Sequence, residues 1–403
     1  FASTIVAFAL VLGLAGCGGN PIVPASLEMP QFPGSGPPPS PAREALPAPA
    51  SAGPIKVALL VPLSGPNTEL GKSMLEAAQL ALFTTGSERL TLVPRDSSGS
   101  PDGAAAAARS ALSEGAKLIV GPLLAAEVEA VKPVARDAHV NVIAFSTATQ
   151  LAGGNTFLMG FLPRHEVARE VAVAHEKGLN RFAALVPNSQ YGHLMVDALR
   201  EAVATVGGTV AKAEYLDPGD PTPAIKRLLS VDTVAAGPGS PPAPDFDALL
   251  LPEGDGPLKQ IAHQLRAAGL DTVKVRLLGS GLWDDPSIAG EPALYGGWFA
   301  ASPPEPEQEF ENRFQKTYGR PAPRLASLAF DAAALAAVLA QNGGGHPFSR
   351  EAILNPSGFT GVDGLFRFTS QGLVQRGLAV LEVGPQGNTV VSPAPQNFQD
   401  LAY

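Results

Sequence analysis

The stretch IKVALLVPLSGPNTELGKS, residues 55–73, sets an unbroken apolar run against a glycine turn and the first residues of a helical pattern. A strand that enters a helix through Gly and Lys-Ser resembles a phosphate-binding loop, which needs four residues between its glycines. Here Gly65 and Gly71 enclose five, and Pro66 removes a backbone donor from the curl that would hold phosphates. The stretch therefore reads as a plain strand-to-helix turn at the mouth of a ligand cleft, not as a nucleotide site.

Outward from it, the same grammar repeats. LTLVPRD, KLIVGP and VNVIAFS are short apolar runs, separated by helical patterns at 71–86, 102–115 and 124–138. Strands alternating with helices of this length predict βαβ units and a parallel sheet covered on both faces. After GFLP (160–163) the alternation restarts. A helix at 165–177 leads to strand 181–187, helix 191–206, strand 209–215, helix 222–231, strand 246–252, helix 257–268 and strand 273–279. GPGSPPAPD (237–245) reads as a surface loop. Phe310, Phe314 and Tyr318 mark one later helix, and Leu325, Leu328, Ala332, Leu335 and Leu339 another. GLFRF (364–368) and GLAVLEV (377–383) read as closing strands, with a loose tail after Gly384. The predicted fold is α/β, with two Rossmann-like lobes built on parallel sheets.

At 403 residues, 45% apolar and 16% charged, the chain is long enough for one large or two medium cores. A net charge of −9 argues against nucleic acid and against polybasic attachment to anionic lipid. The single cysteine closes an apolar run: TIVAFALVLGLA (4–15) is followed by Gly16 and Cys17. The run is short for a membrane span and suits a signal peptide. Leu14–Cys17 resembles a bacterial lipobox, which predicts a signal over 1–17, lipid on Cys17 and a periplasmic, lipid-anchored protein. Gly18 rather than Asp after the cysteine favours the outer membrane. Residues 21–54 hold 11 prolines, so 18–54 reads as a disordered tether, extended at ~3.1 Å per residue where it is polyproline-like.

Parallel α/β sheets bind ligands beyond the carboxyl ends of their strands. The strand-end residues that outline a cleft are Ser64, Asn67, Leu123, Ser146, Thr147, Tyr191, Glu253 and Trp283, with Asp96, Ser97, Asn188, Gln190, Asp255, Ser280 and Leu282 beside them. Each taken singly serves equally well as an ordinary turn residue. No G-x-S-x-G elbow, H-E-x-x-H pair or further cysteine is present, so no catalytic residue, metal site or cofactor is expected. His165 and His175 lack ligand spacing and read as solvated; Asp284-Asp285 before Pro286 reads as a turn.

With these residues assembled, the chain resembles the leucine-binding family of type I periplasmic binding proteins over about residues 55–384. The likeness is carried by VALLVPLSGPNTELGKSMLEAAQLAL, LIVGPLLAAEV, VIAFSTA, FAALVPNSQYGHLMVDAL, FDALLLPEGDGPLKQIAHQLRAAGL and LAFDAAALAAVL. It implies two lobes joined by a three-crossing hinge near Pro163, Ala301 and Leu373. Lobe I would be 55–162 plus 302–372, lobe II 163–301 plus 373–391, and 392–403 a tail.

Amino-acid binders of that family hold the ligand carboxylate with hydroxyls and backbone N–H groups, and the ammonium with an acid and aromatics. Tyr191 and the Ser146–Ala148 turn match that pattern. The expected serine is replaced by Ala125 or Ala126, an aromatic by Leu70, and the acid by Gly281-Leu282. Charge-assisted hydrogen bonds worth ~1.5–3 kcal/mol each are thereby lost, so a zwitterionic amino acid is expected to bind feebly. The wording of residues 57–96 and GFLP is closer still to penicillin-binding-protein activators, lipoproteins that share the fold. That resemblance implies a non-enzymatic regulator whose partner is a peptidoglycan synthase. The alternative is the substrate-binding component of an ABC importer, with a permease as partner and an amino acid or another small polar molecule as ligand.

Overall fold

A computed structural model describes residues 53–230, 244–342 and 344–399. Cys17 and the lipobox, residues 18–52 of the Pro-rich segment, 237–243 of the loop and the last four residues lie outside the described residues.

The opening stretch forms β1 (Ile55–Val61) and α1 (Thr68–Thr85). Then follow β2 (Leu90–Asp96), α2 (Pro101–Ser113), β3 (Leu118–Val120), α3 (Ala125–Asp137), β4 (Asn141–Ala144) and β5 (Thr156–Leu158). The five strands form a parallel sheet in the order β2-β1-β3-β4-β5. Alternation along β1 shows why its run is continuously apolar. Val57, Leu59 and Val61 enter one core with Met74, Phe314 and Phe330, while Ala58 and Leu60 enter another with Ala104, Ala108 and Val128. Both faces are dry, as a parallel sheet requires.

The second block repeats the plan with α4 (Pro163–Glu176), β6 (Arg181–Pro187), α5 (Gln190–Thr205), β7 (Thr209–Leu216), α6 (Thr222–Leu229), β8 (Ala248–Leu250), α7 (Asp255–Ala267), β9 (Arg276–Leu278) and β10 (Trp298–Ala301). Its parallel strands are ordered β7-β6-β8-β9-β10, the same 2-1-3-4-5 winding as the first sheet. In each sheet the direction of winding reverses beside the first strand, which is where such folds open a crevice. The predicted α/β architecture with parallel sheets is the one observed.

The chain then returns to the first sheet. In α8 (Pro304–Tyr318), Phe310 and Phe314 join the β1 core, as does nearly every residue along one side of α9 (Ala326–Asn342). After α10 (Arg350–Ile353), β11 (Phe359–Gly361), β12 (Gly364–Phe368) and β13 (Val374–Arg376) make a small antiparallel sheet. A last passage, between Arg376 and Ala379, delivers β14 (Ala379–Glu382) antiparallel to β10. The segment beyond Gly384 is not loose throughout: Thr389–Ser392 forms β15 against β14.

One device is built twice. β1 ends in Val61-Pro62 and β6 in Val186-Pro187, and each following helix sets a glycine in its first turn against that proline's carbonyl. A Cβ on Gly71 would overlap the Pro62 oxygen, and one on Gly192 the Pro187 oxygen. The helix N-termini are thus drawn tight against the strand ends where the crevice opens.

Because backbone carbonyls cannot swing aside, Gly71→Ala and Gly192→Ala should each destabilise by about 1–3 kcal/mol. Thermal melting should show drops of several degrees. Gly256→Ala, where no atom lies within 4 Å of the added Cβ, should leave the melting temperature within a degree or so. Equal melting of all three variants would refute the close-packing argument.

Candidate functional site

The strand ends of the first sheet supply Ser64, Asn67, Leu123, Ser146 and Thr147. Asp96 fastens the first of these turns, accepting the N–H groups of Leu63 at 2.8 Å, Ser64 at 3.2 Å and Ser98 at 2.8 Å. Burial works to raise the Asp96 carboxyl, but its hydrogen bonds outweigh that and hold it below the usual carboxylate range. Asp96 is therefore a structural clamp, and the exposed Ser64 side chain is itself engaged with it by a hydrogen bond. Asn67 is the N-cap residue of α1, yet its side chain makes no capping bond. Leu123 is half-buried, and the neighbouring turn is set by buried Glu127, whose Oε2 accepts the Leu124 N–H at 3.0 Å. Ser146 is buried and accepts the Ala148 N–H at 3.2 Å; Thr147 is exposed.

The second sheet contributes the more polar group. Ser189 caps α5 by accepting the Gly192 N–H at 3.3 Å, which sets Tyr191 at the crevice. The Tyr191 hydroxyl lies beside the Ser280 side chain and is pushed up to about 12, first by burial and then by the charges of Glu166, Glu170 and Glu253. Glu253 is half-buried and raised by the same desolvation. So Tyr191, Ser280 and Glu253, from the ends of β6, β9 and β8, share one neighbourhood.

Trp283 does not join them. The short 3-10 turn Gly281–Trp283 folds the indole back into the lobe core, where it packs over Gly279 and Gly297. Its Nε1 donates to the Leu251 carbonyl at 3.1 Å and the residue is 1% exposed. Trp283 is a core residue, and its place at the crevice is corrected accordingly. His165 and His175 are corrected too: both are half-buried, and burial with the nearby Arg164 and Arg376 holds the His165 imidazole down to about 4.

Several residues without any sequence signature gather where the chain passes between sheets. Glu166 is buried at the start of α4, and its Oε2 accepts the Gly281 N–H at 3.0 Å. Glu170, one turn on, accepts the Ala300 N–H at 2.9 Å, and burial raises its carboxyl well above the ordinary range. Arg324, in the turn before α9, stacks 4.0 Å from the Phe161 ring centre, and its Nη2 lies 3.8 Å from Glu166 Oε1. Asp285 does form the expected turn, accepting the Ser287 N–H at 2.7 Å. Asp284 is half-buried, and burial raises its carboxyl against the lowering pull of the Arg324 charge. Glu307 is lifted to about 8 by burial and by the charges of Asp284 and Asp363.

Beneath them lies a fully dry network. Arg376 is 2% exposed, donates from Nη2 to the Met159 carbonyl at 2.9 Å and approaches Asp363 to 3.8 Å. Asp363 accepts the hydroxyls of Ser302 at 3.1 Å and Ser327 at 3.0 Å. Asp331 accepts the N–H groups of Val362 and Asp363, and burial with the Asp363 charge raises it to about 7. Among the described residues no cluster of His, Cys, Asp and Glu is arranged to hold a metal ion, and no helix is long and apolar enough to cross a membrane. Two hollows of about 100 and 240 Å³ lie elsewhere on the second lobe, one between α4 and α5 and one at the amino ends of β9 and β10. Neither is lined by a strand-end candidate.

Residues 54–388 match the family model described as a periplasmic binding protein. No curated protein sequence matches the chain. Among solved structures, a putative branched-chain amino acid ABC transporter protein from Rhodospirillum rubrum is similar at 20% identity, covering 84% of this chain and 100% of that one, with a TM-score of 0.73. A leucine-binding protein from Thermotoga maritima is 20% identical over 86% of this chain and 100% of that one, with a TM-score of 0.60. An R. palustris ABC transporter solute-binding protein, solved with 4-hydroxybenzoate, is 20% identical over 85% and 96%, with a TM-score of 0.59. At these identities the likeness speaks for the fold.

The carboxyl cluster generates a pH dependence. Glu307 and Asp331 bind protons in the folded state up to about pH 8 and 7, against ordinary values of 4.5 and 3.8. Their stabilising contribution is complete below the unfolded values and is lost as pH rises through the folded ones. His165 acts in the opposite sense, but only between its ordinary 6.5 and about 4. From about pH 6.5 to about 9 the melting temperature should therefore fall, and Glu307→Gln should flatten that fall. Identical slopes for wild type and variant would sink the assignment.

Proposed function

The chain belongs to the periplasmic binding protein family, and from that premise we propose that it is an extracytoplasmic solute-binding protein working with an ABC-type permease. Its two lobes would take a small polar ligand between Tyr191, Ser280 and Glu253 on one side and Asn67, Ser146 and Thr147 on the other. The observation that carries the reading is the convergence of Tyr191, Ser280 and Glu253 at the carboxyl ends of β6, β9 and β8. A half-buried phenol, a hydroxyl and a carboxyl offer donors and acceptors in a partly dry place, as ligand sites do. The activator reading has no support from the family match or from the similar structures, which are transport binding proteins.

Leucine-type amino acids remain the weaker ligand class. The turn after β3 offers Leu123, Leu124, Ala125 and Ala126, with no hydroxyl, and Gly281 stands where an acid would hold an ammonium. Hydroxylated and carboxylated small molecules, the class bound in the R. palustris relative, suit the phenol and hydroxyls better. Lipid on Cys17, with 18–54 as a spacer, would hold the protein at a periplasmic membrane face.

A melting screen of hydroxybenzoates, small hydroxy acids and branched-chain amino acids tests this. A true ligand at a hundred times its Kd should add ~2.7 kcal/mol of stability. Tyr191→Phe combined with Ser146→Ala should abolish the shift. No shift with any compound, together with equal capture of a peptidoglycan synthase by wild type and double variant, would overturn the solute reading in favour of the activator one.

The anchor has its own test in cells. A clickable fatty acid should label the wild type and spare Cys17→Ser; equal labelling would remove the lipoprotein claim.

A further inference from the structure

We propose that the Arg324 guanidinium is a built-in occupant of a cation subsite in the cleft, so that the cleft takes ligands bringing no ammonium or guanidinium to that position. The inference rests on the reading of the crevice as a ligand site.

Arg324 belongs to the first lobe by its backbone. Its carbonyl accepts the Ser327 hydroxyl at 2.8 Å at the start of α9, whose side chains fill the β1 core. Its side chain leaves that lobe. It crosses the Phe161 ring face and ends against Glu166 and Gly281, which belong to α4 and to the turn after β9. Gly281 is bare where the guanidinium arrives. A Cβ there would overlap the Arg324 terminal nitrogen and come within 2.8 Å of Glu166 Oε1. The surroundings are those that bind a free organic cation: an aromatic face, a buried carboxylate, two more carboxyls at Asp284 and Glu307, and a space left by a missing side chain.

The way Arg324 is held separates it from a structural arginine. Its Nε is buried without a hydrogen-bond partner, and its nearest carboxylate, at 3.8 Å, is beyond hydrogen-bond reach. Stacking and field hold it, without the two-pronged fork that guanidinium makes with a carboxylate when the pair is built for strength. A cation held so loosely behaves as a tethered ligand. While it stays, a second cation meets an occupied and already neutralised place. The Tyr191–Ser280 side of the crevice, one residue from Gly281, remains for hydroxyl and carboxylate groups.

Shortening the tether should expose the subsite. In the full chain, Arg324→Ala is titrated with methylguanidinium chloride at millimolar concentration, by calorimetry and by melting temperature, with sodium chloride at equal ionic strength as control. The variant should bind at least about tenfold more tightly than wild type, by the cation–π and carboxylate contacts set free. Glu166→Gln in the Arg324→Ala background should remove that gain. If Arg324→Ala fails to fold, Arg324→Leu keeps a stem on Phe161 and leaves the head-group space. Equal responses of wild type and variant would show Arg324 to be an ordinary ion-pair residue and overturn the proposal. The probe does not depend on the natural ligand, so failure here leaves the solute reading standing, and failure of the ligand screen leaves this test standing.

Discussion

Arg376 is the point on which the two lobes are assembled. A guanidinium that is 2% exposed survives burial only where its surroundings offset the loss of water. Here it has the Met159 carbonyl, the Asp363 carboxylate and the faces of Phe161 and Phe366 at 5.1 and 5.5 Å. These contacts tie together the passages of the chain between the sheets. Met159 leads out of the first sheet, Ser302 leads back into it and bonds to Asp363, and Arg376 itself stands at the last departure. Removing one member would strand a buried charge, a loss on the order of 3–5 kcal/mol. The three passages are therefore held as one knot, and the crevice above them inherits its alignment from it.

Above the knot, the interactions become progressively weaker and wetter. Glu170 and Glu166 still bond to backbone N–H groups of the second lobe. Arg324 reaches Glu166 only at 3.8 Å, and Glu307 and Asp284 carry desolvation that their neighbours do not fully offset. A ligand shifts an equilibrium between lobe arrangements only by the difference in its affinity for them. A hinge that resisted at every level would consume that difference. One that is firm at its base and loosely paired at its mouth leaves it available.

Much of the fold was legible because burial on both faces leaves an unmistakable trace. IKVALLV and RFAALVP are apolar at nearly every position, since odd and even residues enter separate cores. The Val-Pro strand end and the glycine that follows it mark the same turn in both blocks. The site was less legible. Tyr191 and Ser146 could be placed by counting to the end of a strand. Trp283 could not, because a short 3-10 turn reverses the direction of its ring, and Gly279 and Gly297, which make room for it, are distant from it in meaning though near in sequence. Arg324, Glu166 and Arg376 carry no spacing at all. They are single charged residues, Glu166 bonding to a residue 115 positions away and Arg376 to one 217 away, and only the closing of the chain reveals them.

The repeated winding also bears on why one lobe is polar at the crevice and the other mainly offers turns. In the first lobe the strand-end acids are spent on the backbone: Asp96 on the β1–α1 turn and Glu127 on the turn after β3. In the second, Ser189 caps α5 after β6, and Ser280 closes the turn after β9 by accepting the Leu282 N–H at 3.3 Å, as Ser146 closes the turn after β4 in the first. The turn after β8 holds Glu253, whose carboxyl is raised by burial and has no fixed backbone duty among the hydrogen bonds described. Under the proposed solute-binding reading, a ligand hydroxyl or amide would recover part of that desolvation by bonding to Glu253, a gain that exists only in the bound state, and recognition would be weighted toward the second lobe, with the first supplying shape and the Ser146–Thr147 turn.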